Sequence, residues 1–300
     1  QERKAMVEVL PGSITQLRDI AHEISDVIYE QITARRGAFS TKIMYVSAEG
    51  NIGDMTYRLH MADYDGRRSQ ILLESPEPIM SPAWSPDASQ IAYVSFETGE
   101  RRQVTNFSGI NSSPVWSPDG SKLAMVLSKD GSPDVYVLDL ATDQLRRLTD
   151  HPRAETEPAW SRDSQSVLFS SDRTGQPQIY KVDVNGGGFP ERLTFDCFYC
   201  AKGQFLPDGV KLVHIRRATR QDNSYSVAIL NVETSRVITL TDTALDESPS
   251  VAPNGSMIMF GTTYNGRGVL DAVSIDGRVK FRLPSPQGDV REPSWSPYLN

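Results

Sequence analysis

The sequence predicts an all-β fold: a six-bladed β-propeller, closed by its C-terminal strand and preceded by one helix. Three observations carry that prediction. A phrase built on proline, an aromatic residue and a tight Ser-Pro-Asp turn recurs along the chain, its copies lie about 45 residues apart, and each end of the chain supplies the part of a blade that the other end lacks. A four-stranded propeller blade takes about 40–45 residues, so the period is that of a propeller.

The phrase is clearest as Pro82-Ala83-Trp84-Ser85-Pro86-Asp87, Pro114-Val115-Trp116-Ser117-Pro118-Asp119-Gly120 and Pro158-Ala159-Trp160-Ser161-Arg162-Asp163. Degraded copies are Gly203-Gln204-Phe205-Leu206-Pro207-Asp208-Gly209 and Pro249-Ser250-Val251-Ala252-Pro253-Asn254-Gly255, and the last is Pro293-Ser294-Trp295-Ser296-Pro297. Within each copy the aromatic segment reads as an inner strand and the Ser-Pro-Asp-Gly as a turn. Proline presets φ, aspartate bonds its local backbone, and glycine accepts positive φ. An alternating second strand follows (90–95, 122–127, 166–171, 211–216, 257–262), then a third (134–140, 178–184, 225–232, 269–275). A fourth ends in Arg147-Leu148-Thr149, Arg192-Leu193-Thr194, Thr239-Leu240-Thr241 or Arg282-Leu283-Pro284. β-Branched and aromatic residues at period two, punctuated by Gly, Pro, Asn and Asp, are strand signals. The segments 42–47, 58–63 and 70–73 form a blade without an inner strand, and 293–297 is an inner strand without a blade; joining them closes the ring and removes exposed sheet edges. Trp84, Trp116, Trp160 and Trp295 recur in the inner strands, which assigns them to blade packing and not to a ligand cage.

One repeat is short, with only 32 residues from Pro82 to Pro114. Its second strand and a Gln103-Val104-Thr105 ending are present, but a third strand is not. The expectation is that about a dozen residues are missing near 99–100, leaving a spatial break between Gly99 and Glu100. Upstream, residues 13–36 read as an amphipathic helix, with Ile14, Leu17, Ile20, Ile24, Val27, Ile28 and Ile32 at helical spacing, Ser13 as N-cap and Gly37 as the stop. Glu8-Val9-Leu10 reads as a strand end. So much apolar helix surface needs a cover, so residues 1–40 are expected to be the C-terminal remnant of an N-terminal α/β domain and 41–300 the propeller.

Composition narrows the function. With 31 Lys plus Arg against 38 Asp plus Glu, the formal charge of −7 gives no electrostatic reason to bind nucleic acid or an anionic membrane. No apolar run reaches 18 residues, so no transmembrane helix is predicted. A start at Gln1-Glu2-Arg3-Lys4 reads as the middle of something longer and says nothing about export. Cys197 and Cys200 form a C-x-x-C on strand and loop. A catalytic pair would open a helix, and zinc would need two more soft ligands, which His22, His60, His151 and His214 do not supply by paired spacing. The pair reads as a structural disulfide or two inert thiols. Asp63-Tyr64-Asp65-Gly66 resembles a scrap of a calcium loop but aligns with hairpin turns at 183–186 and 274–277, and His22-Glu23 lacks the second histidine of a zinc-protease helix.

Five segments are more specific than the bare repeat: Met80-Ser81-Pro82-Ala83-Trp84-Ser85-Pro86-Asp87, Thr156-Glu157-Pro158-Ala159-Trp160, Asp246-Glu247-Ser248-Pro249-Ser250, Ala252-Pro253-Asn254-Gly255 and Trp295-Ser296-Pro297-Tyr298-Leu299. In these the chain resembles the TolB family of periplasmic propellers in the Tol–Pal envelope system. The resemblance implies a periplasmic protein-binding module that holds the peptidoglycan-associated lipoprotein Pal at the propeller mouth, supports outer-membrane integrity and cell division, and serves as a receptor for translocating bacteriocins. It also implies a link to TolA through an extreme N-terminal segment outside this chain. No cofactor is required, although the channel could hold a cation. The rivals are a generic periplasmic or extracellular scaffold and the propeller domain of a hydrolase; the latter would need a Gly-x-Ser-x-Gly elbow, which is not present.

The mouth face is expected to gather the loops before the inner strands (75–81, 106–113, 150–157, 195–202, 242–248, 285–292) and those joining second and third strands. Variable loops on a rigid scaffold are where recognition concentrates. Glu157, Glu247 and Glu292 sit just before inner strands and are expected to ring the channel mouth, with Thr156 beside Glu157. Met80, Phe107 and Ile110 are candidate apolar anchors. Ile110 departs from the polar residue, often histidine, that the resemblance leads one to expect. Glu157→Ala is expected to weaken Pal binding without changing stability, with Asp119→Ala on the opposite face as a neutral control.

Overall fold

A computed structural model of the chain describes residues 16–51, 53–96, 102–186, 188–284 and 288–299. Among the described residues one helix, α1 (Leu17–Thr33), precedes twenty-two strands arranged in six antiparallel sheets. Sheet I runs β22 (Asp289–Trp295), β1 (Lys42–Asn51), β2 (Asp54–Asp63), β3 (Gln70–Ser75), and sheet II is β4 (Ile79–Trp84) with β5 (Ile91–Ser95). Sheet III is β6 (Asn111–Trp116), β7 (Lys122–Leu127), β8 (Asp134–Asp139), β9 (Leu145–Arg147), and sheet IV is β10 (Glu155–Trp160), β11 (Ser166–Ser171), β12 (Gln178–Asp183), β13 (Glu191–Arg192). Sheet V is β14 (Tyr199–Phe205), β15 (Lys211–Arg217), β16 (Ser226–Asn231), β17 (Val237–Thr239), and sheet VI is β18 (Glu247–Val251), β19 (Met257–Tyr264), β20 (Arg267–Ser274), β21 (Lys280–Arg282).

The fold is an all-β propeller with one helix, and the blade count is corrected. Five sheets are full four-stranded blades, whereas sheet II has two strands among the described residues. The repeat from Pro82 to Pro114 is the short one, and its residues 97–101 lie outside the described residues. The break expected near Gly99 and Glu100 lies outside the described residues. β22 pairs antiparallel with β1, with Ile43 opposite Trp295 and Ser47 opposite Val290. Inner strands β22, β4, β6, β10, β14 and β18 lie side by side in that cyclic order.

The turn grammar has a common physical basis. Ser117 Oγ accepts the N–H of Lys122 (2.9 Å) and donates to Asp119 (2.6 Å), which in turn accepts the N–H of Ser121 (2.9 Å). Ser85 with Asp87 and Ser161 with Asp163 repeat the arrangement. The Leu-Thr signature is equally structural. Thr149, Thr194 and Thr241 each accept the N–H of the second residue of a third strand, Val135, Ile179 and Val227. Two of the tryptophans join neighbouring sheets: Trp84 Nε1 donates to the Ser294 carbonyl and Trp160 Nε1 to that of Val115, both at 3.1 Å.

The helix is shorter than predicted. It ends at Thr33, where Ala34 adopts a left-handed φ of 56° and returns its N–H to Glu30. Gly37 does not stop the helix; a Cβ there would collide with Asp26, whose carboxylate accepts the N–H groups of Phe39 (2.6 Å) and Ser40 (3.1 Å). Ser13 and the segment 8–10 lie outside the described residues. The helix is fixed to sheet I by Asp63, 1% exposed, which binds Arg18, Lys42 and Arg68 at 2.6–2.8 Å. Asp63-Tyr64-Asp65-Gly66 is the hairpin turn after β2, as its spacing suggested.

Candidate functional site

Every inner strand carries the same irregularity. The register of each inner pair shifts midway along the strand, between Thr156 and Ala159 in β10, for example. Within each shift one residue takes a left-handed conformation: Ser81, Ser113, Glu157, Lys202, Ser248 and Glu292, with φ between 50° and 56°. Such a conformation costs about 1–2 kcal/mol for a residue with a Cβ, and six equivalent copies show that the surrounding sheets impose it. Five of the six precede a proline, which disfavours the ordinary right-handed helical conformation there. The bulge turns each of these residues away from the ladder.

This ring corrects the acidic triad. Glu157 and Glu292 hold equivalent positions, but Glu247 is one residue earlier, equivalent to Met80, Ser112, Thr156, Ala201 and Arg291. The charges at the ring positions are two carboxylates and one ammonium, Lys202. The carboxylates are also engaged. Ser170 Oγ donates to Glu157 Oε2 at 2.7 Å, and the N–H of Lys202, at the equivalent place in the next sheet, donates to it at 3.1 Å. Glu292 accepts the N–H of Ser81 in sheet II. Lys202 Nζ continues the chain to Ser248 Oγ at 2.8 Å. These side chains therefore tie neighbouring sheets together at the mouth.

Between sheets V, VI and I the mouth opens into a cleft of about 440 Å³. Its wall combines Tyr199, Lys202, Tyr225, Asp246, Glu247 and Arg291 with the β19–β20 turn at Thr262, Thr263, Gly266 and Gly268. The two loop sets expected on one face do meet here. Asp246 is buried; burial pushes its carboxyl above the usual range, opposed by hydrogen bonds from Thr241 and Thr243. Burial, with the charge of Glu157 nearby, pushes the Tyr199 phenol up to about 12. Glu247 and Arg291 are exposed.

Of the other candidates, Met80 lies in β4 next to Ser81, and Thr156 lies in β10 next to Glu157. Phe107 and Ile110 stand apart from the cleft on the loop before β6, 39% and 46% exposed, with the Phe107 ring 5.5 Å from Lys129 Nζ. Leu245, which lines the cleft, is 52% exposed, and Phe195 and Tyr264 are further exposed apolar side chains. Cys197 and Cys200 form a disulfide at the start of β14. Asp119 has a structural role in its turn on the opposite face. Its carboxyl is lowered to about 2, chiefly by the Ser117 hydroxyl, and it holds its own turn together. Among the described residues no cluster of three or more His, Cys, Asp or Glu could hold a metal ion, and no helix is long and apolar enough to cross a membrane.

Lys202, Asp246 and Arg291 escaped the sequence reading as site residues. Lys202 sits in the degraded fourth copy, where Lys-Gly replaces the usual residue before proline, so the ring position was hidden.

Comparison with known proteins agrees with this architecture. A family described as "TolB beta propeller domain" matches residues 29–299. The chain is 48% identical over 312 residues to the Tol-Pal system protein TolB of Alcanivorax borkumensis, covering 100% of this chain and 71% of the relative. It is 49% identical over 312 residues to that of Pseudomonas aeruginosa, covering 100% and 72%. The crystal structure of TolB from Acinetobacter baumannii superposes with a TM-score of 0.87 at 40% identity, over 97% of this chain and 75% of that one. The hydrolase reading falls with these relatives: the chain is a non-enzymatic Tol–Pal component and belongs to the TolB family.

Proposed function

We propose that the chain is a periplasmic protein-binding module whose mouth face holds the peptidoglycan-associated lipoprotein Pal. The observation that carries this reading is the conjunction, on one face, of a ring of conformationally fixed residues, an open cleft of mixed charge and exposed apolar side chains. The other face carries the repeating Ser-Pro-Asp turns, whose side chains are spent on closing the turns themselves. Protein partners are favoured where apolar anchors meet polar groups that can be desolvated together. In this reading Met80, Phe107 and Ile110 are anchors, Thr156 and Glu247 are direct contacts, and Glu157 and Glu292 hold the mouth in shape while presenting their outer faces. The working unit is a propeller ring closed by its C-terminal strand, with residues 1–40 belonging to a separate N-terminal unit.

Membership of the Tol–Pal system supports Pal as the partner. It extends, as part of the same proposal, to outer-membrane integrity, cell division, contact with TolA through an N-terminal segment, and capture of bacteriocins at the same mouth. Titration calorimetry with a soluble Pal domain tests the reading. Glu247→Ala removes an exposed carboxylate at the cleft and is expected to weaken binding by roughly 1–3 kcal/mol, the range for a charge-assisted hydrogen bond. Absence of Pal binding to the parent, or parent-like binding by both Glu247→Ala and Met80→Ala, would reject it.

A further inference from the structure

Three crossovers between neighbouring blades are anchored by a threonine at the end of a fourth strand, but not by the same acceptor. Between sheets III and IV, Thr149 donates to Asp134 at 3.3 Å, and the same carboxylate takes the His151 N–H and the Arg147 guanidinium. Between sheets V and VI, Thr241 and Thr243 donate to buried Asp246. Between sheets IV and V the acceptor is neutral: Thr194 donates to Gln178 Oε1 at 2.8 Å, and Gln178 Nε2 donates to the Cys197 carbonyl at 3.1 Å. A neutral amide is a weaker anchor than a carboxylate. At this one of the three crossovers a covalent bond, Cys197–Cys200, ties the loop as well.

The bond stands at the root of the cleft wall. Cys200 is buried with Leu168, Ile179, Leu212 and Leu230. Its strand neighbours Tyr199 and Ala201 face the other way, by the alternation of a strand, and line the cleft with Lys202. Fixing Cys200 to Cys197 therefore fixes the wall.

The geometry points to the Cys197–Cys200 disulfide as a redox-sensitive brace of the mouth cleft, so that a dithiol of the thiol–disulfide oxidoreductase class loosens partner binding without unfolding the ring. This rests on the mouth being the partner site. The reductant's thiolate attacks Cys197 Sγ, which is half-buried, whereas Cys200 is shielded by apolar neighbours. The S–S bond breaks, and Cys200 leaves as a thiolate and takes a proton. The reductant's second thiol then displaces Cys197 from the mixed disulfide, so two electrons and two protons pass to the protein and the reductant departs as a disulfide.

The test compares the oxidised chain, the chain reduced with dithiothreitol, and the variant C197S/C200S, by amide hydrogen exchange and by calorimetry with a soluble Pal domain. Reduction is expected to speed exchange about tenfold in segment 195–203 alone and to weaken binding about tenfold, which is a change of about 1.4 kcal/mol. The variant should match the reduced chain without reductant; if it does not fold, the reduced parent decides. Unchanged exchange and unchanged affinity on reduction would overturn the brace, as would faster exchange throughout the ring. If the oxidised chain does not bind Pal, the partner reading fails, and the exchange data still decide the brace: faster exchange in 195–203 supports it and unchanged exchange rejects it.

Discussion

Glu157→Ala separates a structural from a purely recognitive role for the ring carboxylates. Glu157 Oε2 accepts two hydrogen bonds, from Ser170 Oγ at 2.7 Å and from the Lys202 N–H at 3.1 Å. The second is shared, because the same N–H also reaches Ser170 Oγ at 3.0 Å. Truncation therefore removes one full charge-assisted bond and part of another, while leaving Lys202 N–H a partner. A charge-assisted bond contributes about 1.5–3 kcal/mol net, and nothing in the geometry argues for more. In a ring of this size that corresponds to a melting temperature lower by roughly 3–6 °C. The backbone gives a second signature. Residue 157 has φ of 56°, which alanine finds as costly as glutamate does and glycine does not. Glu157→Gly should thus be about 1 kcal/mol more stable than Glu157→Ala. Calorimetric melting of the three proteins, followed by titration with a soluble Pal domain, gives both readouts. If Glu157→Ala melts like the parent, or if glycine is no better than alanine, the inter-sheet role assigned to this carboxylate is wrong.

Other expected outcomes follow from buried groups away from the mouth. Asp63→Ala removes the carboxylate shared by Arg18, Lys42 and Arg68. Burial pushes this carboxyl up, but hydrogen bonds from Arg68, Lys42 and Arg18 outweigh it and hold the pKa far below the usual range. Breaking a buried pair costs about 3–5 kcal/mol, and the cost should fall at the low end because the three cations are 29–37% exposed and can hydrate; limited proteolysis should then cut near α1 first. Burial depresses His214 and His60 to about 4. The unfolded state, with a value near 6.5, therefore binds more protons between those limits, and stability falls as pH drops from about 6.5 to 4. Each histidine accounts for about 2 kcal/mol at pH 5. His214→Met, which copies Met125 at the equivalent place in β7, should remove about half of that slope in urea melts at pH 7 and pH 5. Asp119→Ala should lower the melting temperature by breaking its turn while leaving Pal affinity within a factor of about two, since surface changes outside the site add independently.

The ring was legible in the sequence because its turns are chemically constrained. Ser117 and Asp119 close a turn through their own side chains, so the phrase must recur in each blade in recognisable form. Thr149, Thr194 and Thr241 were legible for a similar reason, since each anchors a third strand. The short second repeat was visible by counting alone. The site was less legible. Glu247 was grouped with Glu157 and Glu292 because all three precede inner strands, but the bulge separates their positions by one residue, and a one-residue offset in a strand turns the side chain to another face. Lys202 was hidden because glycine replaces the following proline. Asp63 was read as a turn residue, which it is. Its three cations come from the helix, from β1 and from the β2–β3 turn, and no local pattern announces such a meeting. The Cys197–Cys200 bridge was one of the two readings the sequence left open, but the role of Gln178 beside it was invisible for the same reason, because it takes the place of a carboxylate that other crossovers have.

The central claim is that the partner is held at the mouth end of the inner strands. Amide protection of the chain on adding a soluble Pal domain tests it most directly. The account predicts slowed exchange in β4, β10, β14, β18 and β22 near their ring residues and in the β19–β20 turn, with no change in the turns that follow Ser85, Ser117 and Ser161. Protection confined to those turns, with the mouth unaffected, would contradict it.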